Sequence, residues 1–211
     1  MVAGRVTAKT KIFEIKIELR DVRPAVLRRV QVPGEMSLAE LHAVVQVVMG
    51  WTDSHLHEFD VDGARYGRPD PGWAAGEVAD ESRVALFRLT GQGGRMDYAY
   101  DFGDGWSHRL TVENVLAPEL GVSYPRCVSG RRACPPEDVG GPWGYDEFLA
   151  AMTDPAHPEH AERREWMGGP FDPAAFDLDA VNEELAELAW RPLPVSAGRK
   201  AAAASAGSST T

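Results

Sequence analysis

Phe13, Ile15, Ile17 and Leu19 alternate with Glu14, Lys16, Glu18 and Arg20. A period of two predicts a strand with one buried and one polar face. Asp21-Val22-Arg23-Pro24 reads as a turn, and residues 25–32 as a second strand, with Val26, Val30 and Val32 on one side and Pro33-Gly34 ending it. Ser37-Leu38-Ala39-Glu40 then carries the capping-box pattern, a serine at the N-cap and a glutamate three residues on. Leu38, Leu41, Val45 and Val48 follow at helical spacing, so a helix should reach Met49, with Gly50 as its left-handed stop.

Further along, residues 55–61 alternate as a strand, and 84–89 form a short apolar run that also reads as a strand. Residues 67–76, rich in Gly, Pro and Asp, should be a loop. Residues 96–102 and 108–115 read as a hairpin around Gly103-Asp104-Gly105. Residues 124–143 carry both cysteines among prolines and glycines and should be ordered but irregular. Three short helices are expected at 145–152, 158–167 (opened by Pro158) and 178–188 (N-capped by Asp177). The implied architecture is α+β: one domain over 11–190, a mixed sheet with a ββα start and one long helix packed on it, then short C-terminal helices. Residues 1–10 read as an N-terminal extension. From residue 191 the composition collapses to small residues, so 191–211 reads as a disordered tail.

Composition narrows the functional classes. The 211 residues hold 22 Lys plus Arg against 32 Asp plus Glu, a net charge of −10. Proteins that coat DNA depend on Lys and Arg displacing counterions from phosphates, so the acidic balance argues against direct DNA binding. No apolar run approaches the roughly 20 residues of a membrane span. The early apolar stretch is broken by Glu14, Lys16 and Glu18, unlike a signal-peptide core. Two cysteines suit a reducing compartment, and a cytoplasmic location is the default expectation.

Three groups of residues could carry chemistry. His55 and His57 lie two apart on an expected strand and so share a face, while Asp101, Asp104 and His108 flank the hairpin turn beside Trp106. If the hairpin pairs near the histidine strand, these residues converge on a cleft suited to a ligand, to a divalent metal such as Zn²⁺ or Mn²⁺, or to acid–base work. The competing reading is structural: Asp104-Gly105 is a good turn in itself, and Trp51 and Trp106 would be core plugs. The second group is Cys127 and Cys134 with His157 and His160, a Cys₂His₂ metal set whose spacing is looser than usual and which competes with plain structural cysteines. The third is the run from Pro135 to Tyr145, where Glu137 and Asp138 sit among rigid residues that would either wall a binding site or brace a crossing over the sheet.

Four stretches are familiar in order and spacing: IELRDVRPAVLRRVQVPGEMSLAELHAVVQVVMGWTDSHLHEF, YDFGDGWSHRL, YPRCVSGRRACPPEDVGGPWGYDEFL and FDPAAFDLDAVNEEL. Over residues 10–190 the chain resembles the plasmid pRiA4b ORF-3-like family. The resemblance implies an α+β fold with no settled biochemical function, and a link to plasmids and mobile elements, since members carry TnpR-type resolvase or insertion-element passenger labels. A serine recombinase needs a nucleophilic serine among arginines. Ser37 is explained by capping, and Arg20, Arg23, Arg28 and Arg29 lie on strands and their turn. The leading expectation is a non-catalytic binding or adaptor domain that engages an unidentified protein or small-molecule ligand. The alternative is a metal-dependent hydrolase or nuclease using the same His and Asp residues, and a TnpR-type resolvase is the remote one.

Overall fold

The computed structural model describes residues 10–69 and 77–188. The tail expected at 191–211, residues 1–9 of the extension and residues 70–76 of the expected loop lie outside the described residues.

The opening follows the periodicity. Strand β1 (Ile12–Leu19) pairs antiparallel with β2 (Leu27–Pro33), and its apolar residues are buried while Glu14, Lys16 and Glu18 stay half-exposed. Helix α1 (Leu38–Met49) begins with the full capping box: Ser37 Oγ accepts from the Glu40 N–H, and the Glu40 carboxylate accepts from the Ser37 N–H. It ends at Gly50 in the left-handed region, φ 78°. Strands β3 (His57–Val61), β4 (Ala64–Gly67), β5 (Ala79–Asp80), β6 (Arg95–Tyr100), β7 (Trp106–Leu116) and β8 (Arg126–Arg131) complete one sheet. Its order is β5-β4-β3-β6-β7-β1-β2-β8. The pairings are antiparallel except β4 with β5, so the sheet is mixed and the domain is α+β.

One face of this sheet makes the core. Leu41, Val44, Val45 and Val48 of α1 join Ile15, Ile17, Val30, Tyr98 and Leu110 in one buried cluster. Each such side chain contributes about 1.5–3 kcal/mol by leaving water. Helices α2 (Gly141–Thr153), α3 (His160–Met167) and α4 (Leu178–Glu187) follow, with α4 against β8 and α1, and α3 against α2. The opposite face carries paired charges, Arg29 with Glu113 and Arg109 with Asp97.

Two segments depart from the periodicity reading. The strand expected at 84–89 instead follows one 3-10 turn, Glu81–Arg83, and contains another, Leu86–Arg88. Only Ala85 and Leu86 of that run are buried and Phe87 is 47% exposed, so the run is not a sheet-facing element. It plugs the start of α1, where Val84 O accepts from the Leu38 N–H and Met36 O from the Leu86 N–H. Conversely, the stretch expected to be irregular contains edge strand β8. Its pairing with β2 shifts register between Arg29 and Val30, and Gly130 is required there because a Cβ would lie 2.3 Å from the Phe176 ring. Helix α2 also starts earlier than expected, with Pro142 in its first turn.

Candidate functional site

Three distant stretches meet at one rim of the sheet. The first is the segment leaving α1. The Trp51 indole N–H donates to Pro135 O at 3.0 Å, and the ring stacks on Tyr100 with centroids 4.8 Å apart. Glu137 ties the second stretch to the first. Its carboxylate accepts from the Thr52 N–H (3.2 Å), the Thr52 hydroxyl and the Tyr100 hydroxyl. Burial and the adjacent carboxylate hold the Tyr100 hydroxyl well above its ordinary pKa, so it stays a donor. The third stretch is the hairpin turn between β6 and β7. Asp101 sits at φ 53°, where Asp is tolerated better than most residues. Its Oδ1 accepts from the Gly103 N–H (2.9 Å), and its carbonyl accepts from the Gly105 N–H (2.6 Å). Asp104 Oδ2 takes the Gly140 N–H at 3.1 Å. Gly141 allows this approach, since a Cβ there would lie 2.4 Å from the Asp104 carbonyl oxygen.

On this scaffold His55, Asp101 and Asp138 face one another. His55 Nε2 is 3.1 Å from Asp138 Oδ1 and 3.6 Å from Asp101 Oδ2, and one ligand atom from each residue lies within 4.8 Å of the other two. Neither approach has hydrogen-bond geometry: Nε2 is shielded from solvent and has no hydrogen-bond partner among the described residues. The side chains of His55, Asp101 and Asp138 are 28%, 10% and 70% exposed.

The other predicted site residues lie beneath the rim. The antiparallel pairing of β3 with β6 sets His57 opposite Tyr100, and β6 with β7 sets Tyr98 opposite His108. Thus the hairpin does pack beside the histidine strand, but on this sheet His57, Trp106 and His108 are enclosed. Trp106 is 1% exposed and packs near Trp51, so it does not line an open cleft. His108 meets the Trp51 ring edge-on at 5.3 Å, with Nδ1 3.3 Å from Tyr98 O. Burial lowers its pKa to about 4.

His57 belongs to a network that includes residues the periodicity reading did not single out. Its ring stacks on His42 of α1, with centroids 3.4 Å apart and planes 5° from parallel. His57 Nε2 is 2.9 Å from Glu81 Oε2, and both side chains are buried. His42 Nδ1 is 2.8 Å from Tyr98 OH, and its Nε2 is 2.9 Å from Asp53 Oδ1. Gln46 closes the circuit, donating to Tyr98 OH at 3.0 Å and accepting from the Asp53 N–H at 2.9 Å. Arg68 pairs with the other Asp53 oxygen. Burial, reinforced by repulsion from His57, lowers the His42 pKa to about 4. The available signal was a polar pair, His42 and Gln46, four apart on an otherwise apolar helix.

Cys127, Cys134, His157 and His160 do not gather: among the described residues, neither cluster of ligand-type side chains contains any of them. The Cys127 thiol contacts Ser129 O, the Cys134 thiol contacts Met49 Sδ, and both are free and held above the ordinary thiol pKa, mainly by burial. His157 accepts from the Glu159 N–H, while His160 bonds the carbonyl of Ala151.

A family model described as "Plasmid pRiA4b ORF-3-like protein" matches residues 11–180. The chain belongs to the pRiA4b ORF-3-like family. It is 43% identical over 181 residues to "Uncharacterized protein y4hQ" of Sinorhizobium fredii, covering 84% of this chain and 92% of that one. A crystal structure of "Protein of Unknown Function MM3350" from Methanosarcina mazei Go1 superposes with a TM-score of 0.75 at 34% identity, covering 81% of this chain and 97% of the other. The match to the family spans all three stretches that build the rim. No helix among the described residues is long and apolar enough to cross a membrane.

Proposed function

We propose that this pRiA4b ORF-3-like chain is a non-catalytic binding module whose recognition site is the rim around His55, Asp101 and Asp138. The observation that carries this reading is convergence. Segments 51–55, 101–105 and 135–141 are pinned together by Glu137, Asp104 and the Trp51 indole, and they raise one half-exposed imidazole and two carboxylates. Beneath them, His57 and His108 serve as packing, closed off from any ligand in solvent. A protein or small molecule carrying a cationic or metal-bearing group suits this acidic rim. Ser37 is consumed in the α1 cap, and the net charge stays acidic, which favours binding over recombination chemistry.

A metal-dependent hydrolase or nuclease is the competing reading, favoured by the presence of both imidazole and carboxylate at an accessible point. One assay separates the two. The protein is incubated with bis-p-nitrophenyl phosphate and with a single-stranded oligonucleotide, each with Mn²⁺ or Zn²⁺. No turnover above buffer is expected. Turnover that disappears in His55→Ala would overturn the binding reading.

A further inference from the structure

The geometry points to the His55–Asp101–Asp138 cluster as a binding site for a first-row divalent metal ion of the Mn²⁺ or Zn²⁺ class. The inference deepens the proposed function and rests on it for the claim that this rim is the working surface.

Asp101 has a side chain nine-tenths buried, and it commits Oδ1 to the turn through Gly103 and Asp104. Its Oδ2 is 3.6 Å from His55 Nε2, beyond hydrogen-bond reach. His55 Nε2 is itself buried, with no hydrogen-bond partner among the described residues. A buried polar atom without a partner is costly, and this one faces the gap that Asp101 Oδ2 borders. Asp138 reaches that gap from the loop ahead of α2. Donors about 2.0–2.2 Å from one ion lie about 3.0 Å apart in an octahedron and about 3.4 Å apart in a tetrahedron. The observed separations from Nε2, 3.1 and 3.6 Å, lie within about 0.2 Å of those values.

Ligand type selects the ion. One imidazole among carboxylates suits Mn²⁺, Fe²⁺ or Zn²⁺ better than Ca²⁺ or Mg²⁺, which favour all-oxygen shells. Two carboxylates neutralise the charge of a divalent ion, and the exposure of Asp138 leaves room for water or a partner's donor group at the remaining positions. The ion would staple the three rim segments and present a Lewis-acidic point to a ligand.

The full chain is stripped with EDTA, exchanged into chelator-free buffer, and titrated with Mn²⁺ by electron paramagnetic resonance and with Zn²⁺ by calorimetry. One equivalent per chain is expected. Asp138→Asn, an exposed substitution that spares the turn, and His55→Gln should each weaken binding at least tenfold, while His157→Gln leaves it unchanged. No binding of either ion at millimolar concentration overturns the assignment. So does one equivalent whose affinity is indifferent to both rim variants. Either failure leaves the phosphodiester assay above free to decide the binding reading separately.

Discussion

Among the described residues, two clusters of histidine and acid lie about the α1-to-β3 connection, and they differ in whether their polar atoms are hydrogen-bonded. In the buried cluster His42 bonds at both ring nitrogens, Asp53 at both oxygens, and His57 reaches Glu81. In the rim cluster the central nitrogen of His55 has no hydrogen-bond partner among the described residues. Ring geometry deepens the contrast. Two imidazoles on one tetrahedral ion diverge by about 109°, which places their centres about 5 Å apart. His42 and His57 lie parallel at 3.4 Å, too close to share an ion. The same residue types make a satisfied brace in one place and an open site in the other, and composition alone does not separate them.

The largest effect is expected where the brace is cut. Glu81→Ala leaves the His57 nitrogen buried without its carboxylate. Losing that hydrogen-bond partner together with the packing of the buried Glu81 side chain costs about 3–5 kcal/mol. Urea denaturation at pH 7 should show a matching fall in the midpoint at unchanged slope. A loss below about 1 kcal/mol would mean that the brace is not structural, and the contrast between the clusters would collapse.

Acid should attack the same region next. The pKa values of His42 and His108 are lowered to about 4 in the folded chain, mainly by burial, against an unfolded value of about 6.5. The unfolded chain therefore binds protons first as pH falls. Stability from these two groups is complete above about pH 6.5 and is lost progressively toward pH 4, by about 2 kcal/mol for each histidine at pH 5. Denaturation midpoints at pH 7 and pH 5 measure the loss. His108→Gln does not titrate and should remove about half of the difference. An unchanged difference would show that other groups drive acid sensitivity.

The same contrast separates what the sequence makes legible from what it hides. β1, β2, α1 and the β6–β7 hairpin were readable because their information is local: a period of two, a capping box, a Gly-Asp-Gly turn. β8 was hidden because an edge strand flanked by prolines and interrupted by a register shift lacks a clean alternation. The 84–89 run misled because a few apolar residues do not say whether they join a sheet or plug a helix end. Much of the rim is readable as residue types, since His55, Asp101, Asp104, Glu137 and Asp138 all stand in candidate groups. Their meeting depends on β3 pairing with β6, which local sequence does not encode. The buried stack was least visible, because Glu81, Tyr98 and His42 acquire their roles only through contacts made across the sheet and α1.

The smallest effect should come from the rim, and its smallness is the point. Asp138 is 70% exposed and sits at φ 59°, a left-handed conformation that glycine adopts without steric penalty. Asp138→Gly therefore relieves local backbone strain while adding freedom to the unfolded chain, and the two nearly offset. The change in stability should stay within about 0.5 kcal/mol, as for surface positions outside a structural network. A residue that braces the fold, as Glu81 does, would cost far more. Asp138→Gly compared with wild type by urea denaturation at pH 7 reads this directly. A loss above about 1 kcal/mol would place Asp138 with the brace, making the rim cluster a second structural network instead of a surface kept free for a ligand.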